Sequence, residues 1–517
     1  MSGDMSVQEV SRSFQLPDLY EAGIAELQQG LERAHFTSVD LVKAYLARIE
    51  EAAALDAERE NNGTRGPLHG IPLLLKDNIA TLHEEGNYLR YEYDCWYVPA
   101  FCVAGDAPVA AKLREAGEIF IGKTNMSEWA NFRGQVPSGF SGRGGQTVSP
   151  YYPNGDPSGS SSGNGVAMAI GLAAGSLGSE TYGSIISPSS RNNIVGIKPT
   201  VGLASRTRVI PISYTQDTVG PMCRSVSDAA LLLSFIAGKD ERDEATRSQP
   251  EIPDYMKALD RHAPEGKRLG VPRKLIKETD NLIEEEFNKA LDILRSLGAE
   301  IVDPTDFRNT EELKASEYQS LVLTVELKLG VNKYISELRK RPSNIDNLAD
   351  VIRFNNENKE KEIPEPYHTD QSQLYKSEDS KADERYYEAV KKDYELGRTE
   401  GIDATLKEFD LDAIITVLPS SYGCATKAAG IAGYPIVCVP LGFHAGTVEP
   451  TPNPPTPLHN EAPDMAFGLC FMGTAYSEYQ LIGFAYAFEQ ATQVRLKGRK
   501  AIPEAIPKTQ LKDVMST

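Results

Sequence analysis

The sequence predicts an α/β fold, a β-sheet with helices packed on both of its faces. Short, predominantly apolar runs such as residues 73–75, "LDAIITVLP" and "YPIVCVPLG" have the length and composition of buried strands. They alternate with segments whose apolar residues recur every three or four positions, as on one side of a helix. Length and composition permit a large core: 517 residues, 40% hydrophobic and 25% charged, lie outside the range of disordered chains.

In chain order, residues 37–51 read as a capped helix with Leu41, Val42, Tyr45, Leu46 and Ile49 on one face. The polar turn "RENNGTRG" leads into "PLHGIPLLLKDN", a buried strand ending at Lys76. Residues 107–116 read as a helix, "EIFIG" as a short strand and "NMSEWA" as another helical start. Gly, Ser and Pro dominate residues 134–165, and an irregular stretch of that length inside a compact enzyme usually has a function. "VAMAIGLAAG" is a small-residue helix between two knots of Ser and Gly, and "TQDTVGPMCRSVSDAALLLSFIAG" reads as a turn and then an apolar helix. Residues 239–409 are charged and mostly helical. In one helix there, Asp280 is the cap, Ile283, Phe287, Leu291 and Leu294 face inward, and Gly298 is the stop. "NENKEKEIPEPYHTDQSQ" reads as an exposed loop and "SEYQLIGFAYAFEQAT" as a closing helix. With no internal repeat, residues 1–517 are expected to form one domain, with 239–409 as an elaboration within it.

The formal net charge is −19. That argues against nucleic-acid and anionic-membrane partners, which require basic surface, and suits a protein acting on a neutral or cationic small molecule. Six scattered cysteines without a CxxC pair fit free thiols in a reducing compartment. Seven dispersed histidines without HExxH give no support to metal hydrolysis. No apolar run approaches the ~20 residues of a membrane span, and the opening residues lack a basic-then-apolar leader. The expectation is a cytoplasmic monomer or homodimer with no metal, no cofactor and no stable membrane insertion.

The chemistry lies in the two Ser/Gly knots. Gly159-Ser160-Ser161-Ser162-Gly163 matches G-x-S-x-G, an elbow that would make Ser161 a nucleophile. The elbow needs a strand ahead of it, however, and "YYPNGDP" with its two prolines is poor strand material. His262, His368, His444 and His459 have no distinctive context as its base. A second reading joins Lys76 in "GIPLLLKDN", Ser160 in "SGSSSGNG" and Ser184 in "GSETYGSIISP". A lysine ending an apolar strand is drawn partly out of water, which favours the neutral amine and makes it available as a base. A serine hydroxyl is a weak nucleophile until its proton is taken. A second serine can relay that proton, and glycine-rich backbone can aim N–H groups at a developing oxyanion.

On these residues the chain resembles the amidase signature family. The matching stretches are "GPLHGIPLLLKDN", "GKTNMSEWANFRG", "DPSGSSSGNG", "GSETYGSIISPSSRNNIVGIKPT", "QDTVGPM", "AAGIAGYPIVCVPLG" and "MAFGLCFMG", and the resemblance covers nearly the whole chain, from about Leu16 to about Leu511. "SPSSRNNIVGIKPTVGL" is similar to the fungal and plant branch, near the peptide amidases. The resemblance implies a large mixed β-sheet flanked by helices and hydrolysis of carboxylic amides to acid plus ammonia or amine. It implies Lys76 as base, Ser160 as bridging serine after a cis peptide bond at Gly159, and Ser184 as nucleophile 24 residues on (184 − 160). It further implies the backbone N–H groups of Thr181, Tyr182, Gly183 and Ser184 as the oxyanion loop. Two alternatives stay beside it: a glutamine-dependent amidotransferase-type subunit, and a non-catalytic binding protein that keeps the fold.

Three features depart from that family's pattern. "EEAAALDAEREN" is short, so an edge strand is expected to be missing. The segment after Lys76, "LHEEGNYLRYEYDCWYVPAFCVAG", is bulky and aromatic. Tyr182 stands where relatives have Gly or Asp, and is strained if the loop needs a positive φ there. Asp217 in "QDTVGP" is expected either to orient a catalytic loop or to cap a turn. Trp129 and Tyr151 either line a channel or pack, and Cys223 and Cys438 are expected as core thiols.

Overall fold

A computed structural model describes residues 58–81, 103–276, 281–341, 344–418, 423–454, 457–498 and 501–507. The helix expected at 37–51, the Asp280 cap, Cys95, Cys102 and most of the aromatic segment 82–105 lie outside the described residues.

One sheet of ten strands organises the chain. In sequence these are β1 (Pro72–Lys76), β2 (Ile119–Thr124), β3 (Gly175–Glu180), β4 (Val195–Lys198), β5 (Thr218–Cys223), β6 (Arg268–Gly270), β7 (Glu300–Val302), β8 (Ala413–Leu418), β9 (Ile436–Phe443) and β10 (Ala466–Met472). Their order across the sheet is β2-β1-β3-β5-β4-β9-β10-β8-β6-β7. The pairs β1–β2, β1–β3, β8–β6 and β6–β7 are parallel, and the five pairs between β3 and β8 are antiparallel, so the sheet is mixed.

Alternation along each strand divides its side chains between two cores. Leu73 and Leu75 of β1, Ile415 and Val417 of β8, and Phe467, Leu469 and Phe471 of β10 enter one. Leu74, Ile414, Cys470 and Met472 of the same strands enter the other. The first core is covered by α1 (Pro108–Glu115), α4 (Val226–Ile236), α5 (Asn281–Ser296), α6 (Tyr318–Ser336) and α8 (Glu478–Thr492). The second is covered by α2 (Ser162–Ile170), α3 (Ile186–Arg191) and α7 (Cys424–Ala432).

Several expectations need correction. The second Ser/Gly knot is not all loop: "GSLGSE" is β3, hydrogen-bonded between β1 and β5. "TVGPMC", read as part of a turn, is β5. Glycine hides β3 because it lowers strand propensity, yet Gly178 is required by close approach. A β-carbon there would stand 2.7 Å from Met222 Sδ and 2.9 Å from Ser161 Oγ. "NMSEWA" does not start a helix: Glu128–Asn131 is one tight turn in which Trp129 and Ala130 have φ of 50° and 51°. Trp129 packs into the core.

Residues 239–409 are not merely helical. They supply β6 and the edge strand β7, joined by α5, whose Ile283, Phe287, Leu291 and Leu294 are buried and which Gly298 follows at φ 90°. The segment 356–373 is also not a free loop. Buried Arg133 donates to the backbone carbonyls of Glu362, His368 and Asp370 while pairing with Glu128. Those bonds draw the segment over the Gly-rich stretch, where the His368 ring stacks on Phe140 at 3.7 Å.

Candidate active site

Leu74 and Lys76 are two residues apart on β1 and therefore share a face, the one on which α2 and α3 pack. Lys76 is 0% exposed. Its Nζ donates to Ser160 Oγ at 2.7 Å and to the Ser179 carbonyl on β3 at 3.0 Å. Ser160 is also 0% exposed and follows a cis peptide bond from Gly159, as the family resemblance implies. Its carbonyl accepts from the Ser127 amide at 3.0 Å.

The two knots are joined directly, because the Ser161 amide donates to the Ser184 carbonyl at 3.1 Å. The Ser161 hydroxyl donates instead to Ser179 O at 3.2 Å, and no strand precedes it, so the elbow geometry is absent. Ser184 lies between β3 and α3 at the wall of a cavity of about 990 Å³. Ser160, Ser179, Thr181, Asn78 and Asp217 line the same cavity. No hydrogen bond joins Ser160 to Ser184, and among the described residues Ser184 Oγ has no hydrogen-bond partner. Such contacts are often long before a substrate is bound.

Residues 181–184 make the turn from β3 into α3. The positive φ in this turn falls on Gly183, at 94°, and not on Tyr182, so the strain anticipated at Tyr182 does not arise. Tyr182 is accommodated by a glycine on α7: a β-carbon at Gly430 would stand 2.5 Å from Tyr182 Cβ.

The Gly183 amide departs from its expected role. It donates to Glu180 Oε1 at 2.6 Å, while the Ile185 and Ile186 amides donate to Oε2 at 2.6 and 2.8 Å. A buried carboxylate must find donors, and Glu180 finds them on both sides of Ser184. Gly183 therefore braces the turn that also carries the amides of Thr181, Tyr182 and Ser184, the other candidate oxyanion donors.

Charges buried beneath the turn reinforce this arrangement. Burial pushes the Glu180 carboxyl up, against the pull of the Lys198 ammonium. Burial brings Lys198 down to about 8, opposed by Glu180, Glu478 and Asp217. Burial raises Asp217 to about 6, against the Thr181 hydroxyl, the Ser213 and Ile212 amides and Arg206. Thr181 Oγ1 donates to Asp217 Oδ1 at 2.6 Å.

Sequence reasoning missed Glu180, Lys198 and Gly430. The available signal was a lone acid inside "GSETYGS" and a lone lysine ending "NIVGIK", each a charge in an otherwise neutral buried run. Among the described residues no group of three His, Cys, Asp or Glu is placed to hold a metal, and no histidine lines the cavity. Tyr151 does not line it either. Cys223 and Cys438 are buried free thiols as expected. Among the described residues no helix is long and apolar enough to cross a membrane.

The Amidase family model matches residues 33–482. A putative amidase of the fungus Arthroderma benhamiae is 38% identical, over 97% of this chain and 90% of its own length. The crystal structure of native peptide amidase from Stenotrophomonas maltophilia superposes with a TM-score of 0.77 at 37% identity, covering 93% of this chain and 98% of that one. A glutamyl-tRNA(Gln) amidotransferase chain of Geobacter metallireducens is less similar, 31% identical over 92% of this chain and 98% of its own.

Proposed function

The chain belongs to the Amidase family and is a hydrolase of amide C–N bonds; from that premise we propose that it acts through a Ser184 acyl-enzyme served by Ser160 and Lys76. The neutral Lys76 amine takes the Ser160 hydroxyl proton as Ser160 takes that of Ser184. Ser184 Oγ forms a bond to the amide carbonyl carbon, and the carbonyl oxygen becomes an oxyanion facing the amides of Thr181, Tyr182 and Ser184. The relay then runs backwards. Lys76 returns its proton through Ser160 to the amide nitrogen, the C–N bond breaks, and ammonia or an amine departs. Water enters, gives its proton to the same relay and attacks the ester carbonyl. Ser184 regains its proton as the carboxylic acid leaves.

The observation that carries this reading is the 2.7 Å hydrogen bond between Lys76 and Ser160, two solvent-free side chains, beside a cavity that also holds Ser184. The steps call on no metal or cofactor. At about 990 Å³ the cavity has room for an amide well beyond acetamide in size. The free thiols of Cys223, Cys424, Cys438 and Cys470 accord with a cytoplasmic setting.

The test is intact mass and peptide mapping after treatment with a fluorophosphonate. One phosphonyl adduct is expected on Ser184, absent from Ser184→Ala and slow to form in Lys76→Ala. No adduct on folded protein would overturn the acyl-enzyme and leave a binding protein with this fold. An adduct on Ser161 would move the nucleophile to the first knot.

A further inference from the structure

We infer that Asp217 is a positioning residue for the hydrolysis, holding the Thr181 hydroxyl and thereby tying the turn that carries Ser184 to the neighbouring 212–217 turn. The inference rests on Ser184 being the nucleophile.

The carboxylate has two separate tasks. Oδ2 accepts from the amides of Ile212 and Ser213, both at 2.8 Å, and the Asp217 amide donates back to Ser213 O at 2.9 Å. That much is an ordinary acid-capped turn. Oδ1 does something a turn cap does not need: it reaches to another strand and accepts from Thr181 Oγ1 at 2.6 Å. Thr181 is the first residue past the end of β3, and Asp217 is the last before β5. The two strands pair Glu180 with Thr218, so the Thr181–Asp217 bond closes the ladder at its open end, where the sheet stops and the catalytic turn begins.

Thr181, Ile212, Ser213 and Asp217 all line the cavity. One carboxylate therefore ties the turn ahead of Ser184 to the neighbouring turn at 212–217. Glu180 braces the amides at 183, 185 and 186 but makes no bond to 181 or 182. The peptide between Thr181 and Tyr182, a candidate oxyanion donor, is thus held from its front by Asp217. Misplacement by about 1 Å at such a donor costs about 100-fold in rate.

The charges facing Asp217 come from several elements. Arg206 donates to the Asp217 carbonyl at 3.4 Å, while its guanidinium forks onto Asp243 at 2.7 and 2.9 Å. Lys198, on β4, is buried and interacts with the Asp217 charge while its ammonium donates to the Tyr434 carbonyl at 2.8 Å. Glu326, on α6, holds Ser213 Oγ and Thr215 on the far side of the same turn. Protonating Asp217 at Oδ1 reverses the bond to Thr181, making the carboxyl the donor and Thr181 Oγ1 the acceptor, and removes the charge that strengthens it.

The experiment is the rate of Ser184 labelling by a fluorophosphonate, read by mass on the full chain from pH 5 to pH 8. The proteins are wild type, Asp217→Asn, Thr181→Val, Thr181→Ser and the double variant Asp217→Asn/Thr181→Val. Asp217→Asn and Thr181→Val are each expected to slow labelling between about 10-fold and about 100-fold. The double variant should be no slower than the slower single one, and Thr181→Ser, which keeps the hydroxyl, should be slowed far less than Thr181→Val. The wild-type rate should fall on acidification through about 6, and that limb should be missing from Thr181→Val. Wild-type rates in both singles, additive losses in the double, or a Thr181→Ser variant as slow as Thr181→Val would each overturn the inference. If Asp217→Asn does not fold, the Val/Ser pair at 181 decides alone. A wild type that takes no label at all refutes the Ser184 reading instead.

Discussion

Lys76 Nζ reaches Ser160 Oγ at 2.7 Å from the buried end of β1 and also donates to the Ser179 carbonyl. A lysine so placed is either a base or a structural cation, and two substitutions separate the roles. Lys76→Met keeps the stem and removes the nitrogen. Lys76→Arg keeps a charge and donors but cannot give up a proton at any working pH. If Lys76 is the base, both variants lose about 100-fold to about 10,000-fold in amide turnover. If it is only a cation, Arg retains most of the activity. Initial rates on a panel of neutral amides, with circular dichroism as a check on folding, discriminate the two.

The two serines should fail differently. Ser184 stands on the cavity wall with its hydroxyl unpaired among the described residues, whereas the Ser160 hydroxyl is already bonded to Lys76. Ser184→Ala is expected to abolish covalent labelling altogether. On the proposed mechanism Ser160→Ala breaks the relay but leaves the nucleophile, so an adduct is still expected at Ser184, slowed about 100-fold or more. Equal and complete loss in both, measured as adduct mass against time, would mean that Ser160 does more than pass a proton.

How much of this was legible follows from where each residue's partners lie. Lys76, Ser160 and Ser184 stand out in the sequence because each is a reactive group at the edge of a run of another character. Lys76 ends an apolar strand, and the serines sit among glycines. The strands around them do not stand out. β3 and β5 read as "GSLGSE" and "TVGPMC", with the Gly, Ser and Pro that ordinarily mark turns, because here the neighbours press too close for larger side chains. Glu180 was illegible for a different reason. Its three donors appear only once the turn has closed. Arg133 binds a segment more than two hundred residues away, a distance across which no local pattern carries information.

Gly430 fits α7 against the turn at residues 181–184, and adding one methyl there should disturb the proposed catalysis from behind. A β-carbon at 430 would stand 2.5 Å from Tyr182 Cβ and 3.2 Å from the Thr181 carbonyl, so either the helix or the turn must shift. Gly430→Ala is expected to lower stability by about 1–3 kcal/mol and to slow Ser184 labelling. Tyr182→Gly removes the closest of those contacts and should recover part of both losses when combined with Gly430→Ala. Urea unfolding and labelling rates of the two singles and the double measure the coupling. Independent effects would show that the two backbones do not press on each other.

Glu118 should make the fold less stable as pH rises. It is buried just before β2, and neither carboxyl oxygen has a hydrogen-bond partner among the described residues. Burial alone raises it from 4.5 to about 9. Below 4.5 the folded and unfolded chains both hold the proton and the residue is without effect. Between 4.5 and about 9 the unfolded chain has lost the proton while the folded chain keeps it, so unfolding is increasingly favoured with pH. Glu118→Gln has the shape of the neutral acid but cannot ionise. It should match wild type near pH 4.5 and exceed it by on the order of 2 kcal/mol at pH 7, with a larger gap at pH 9. Urea denaturation of both proteins at the three pH values gives the slopes, and parallel lines would mean that Glu118 is charged in the folded state.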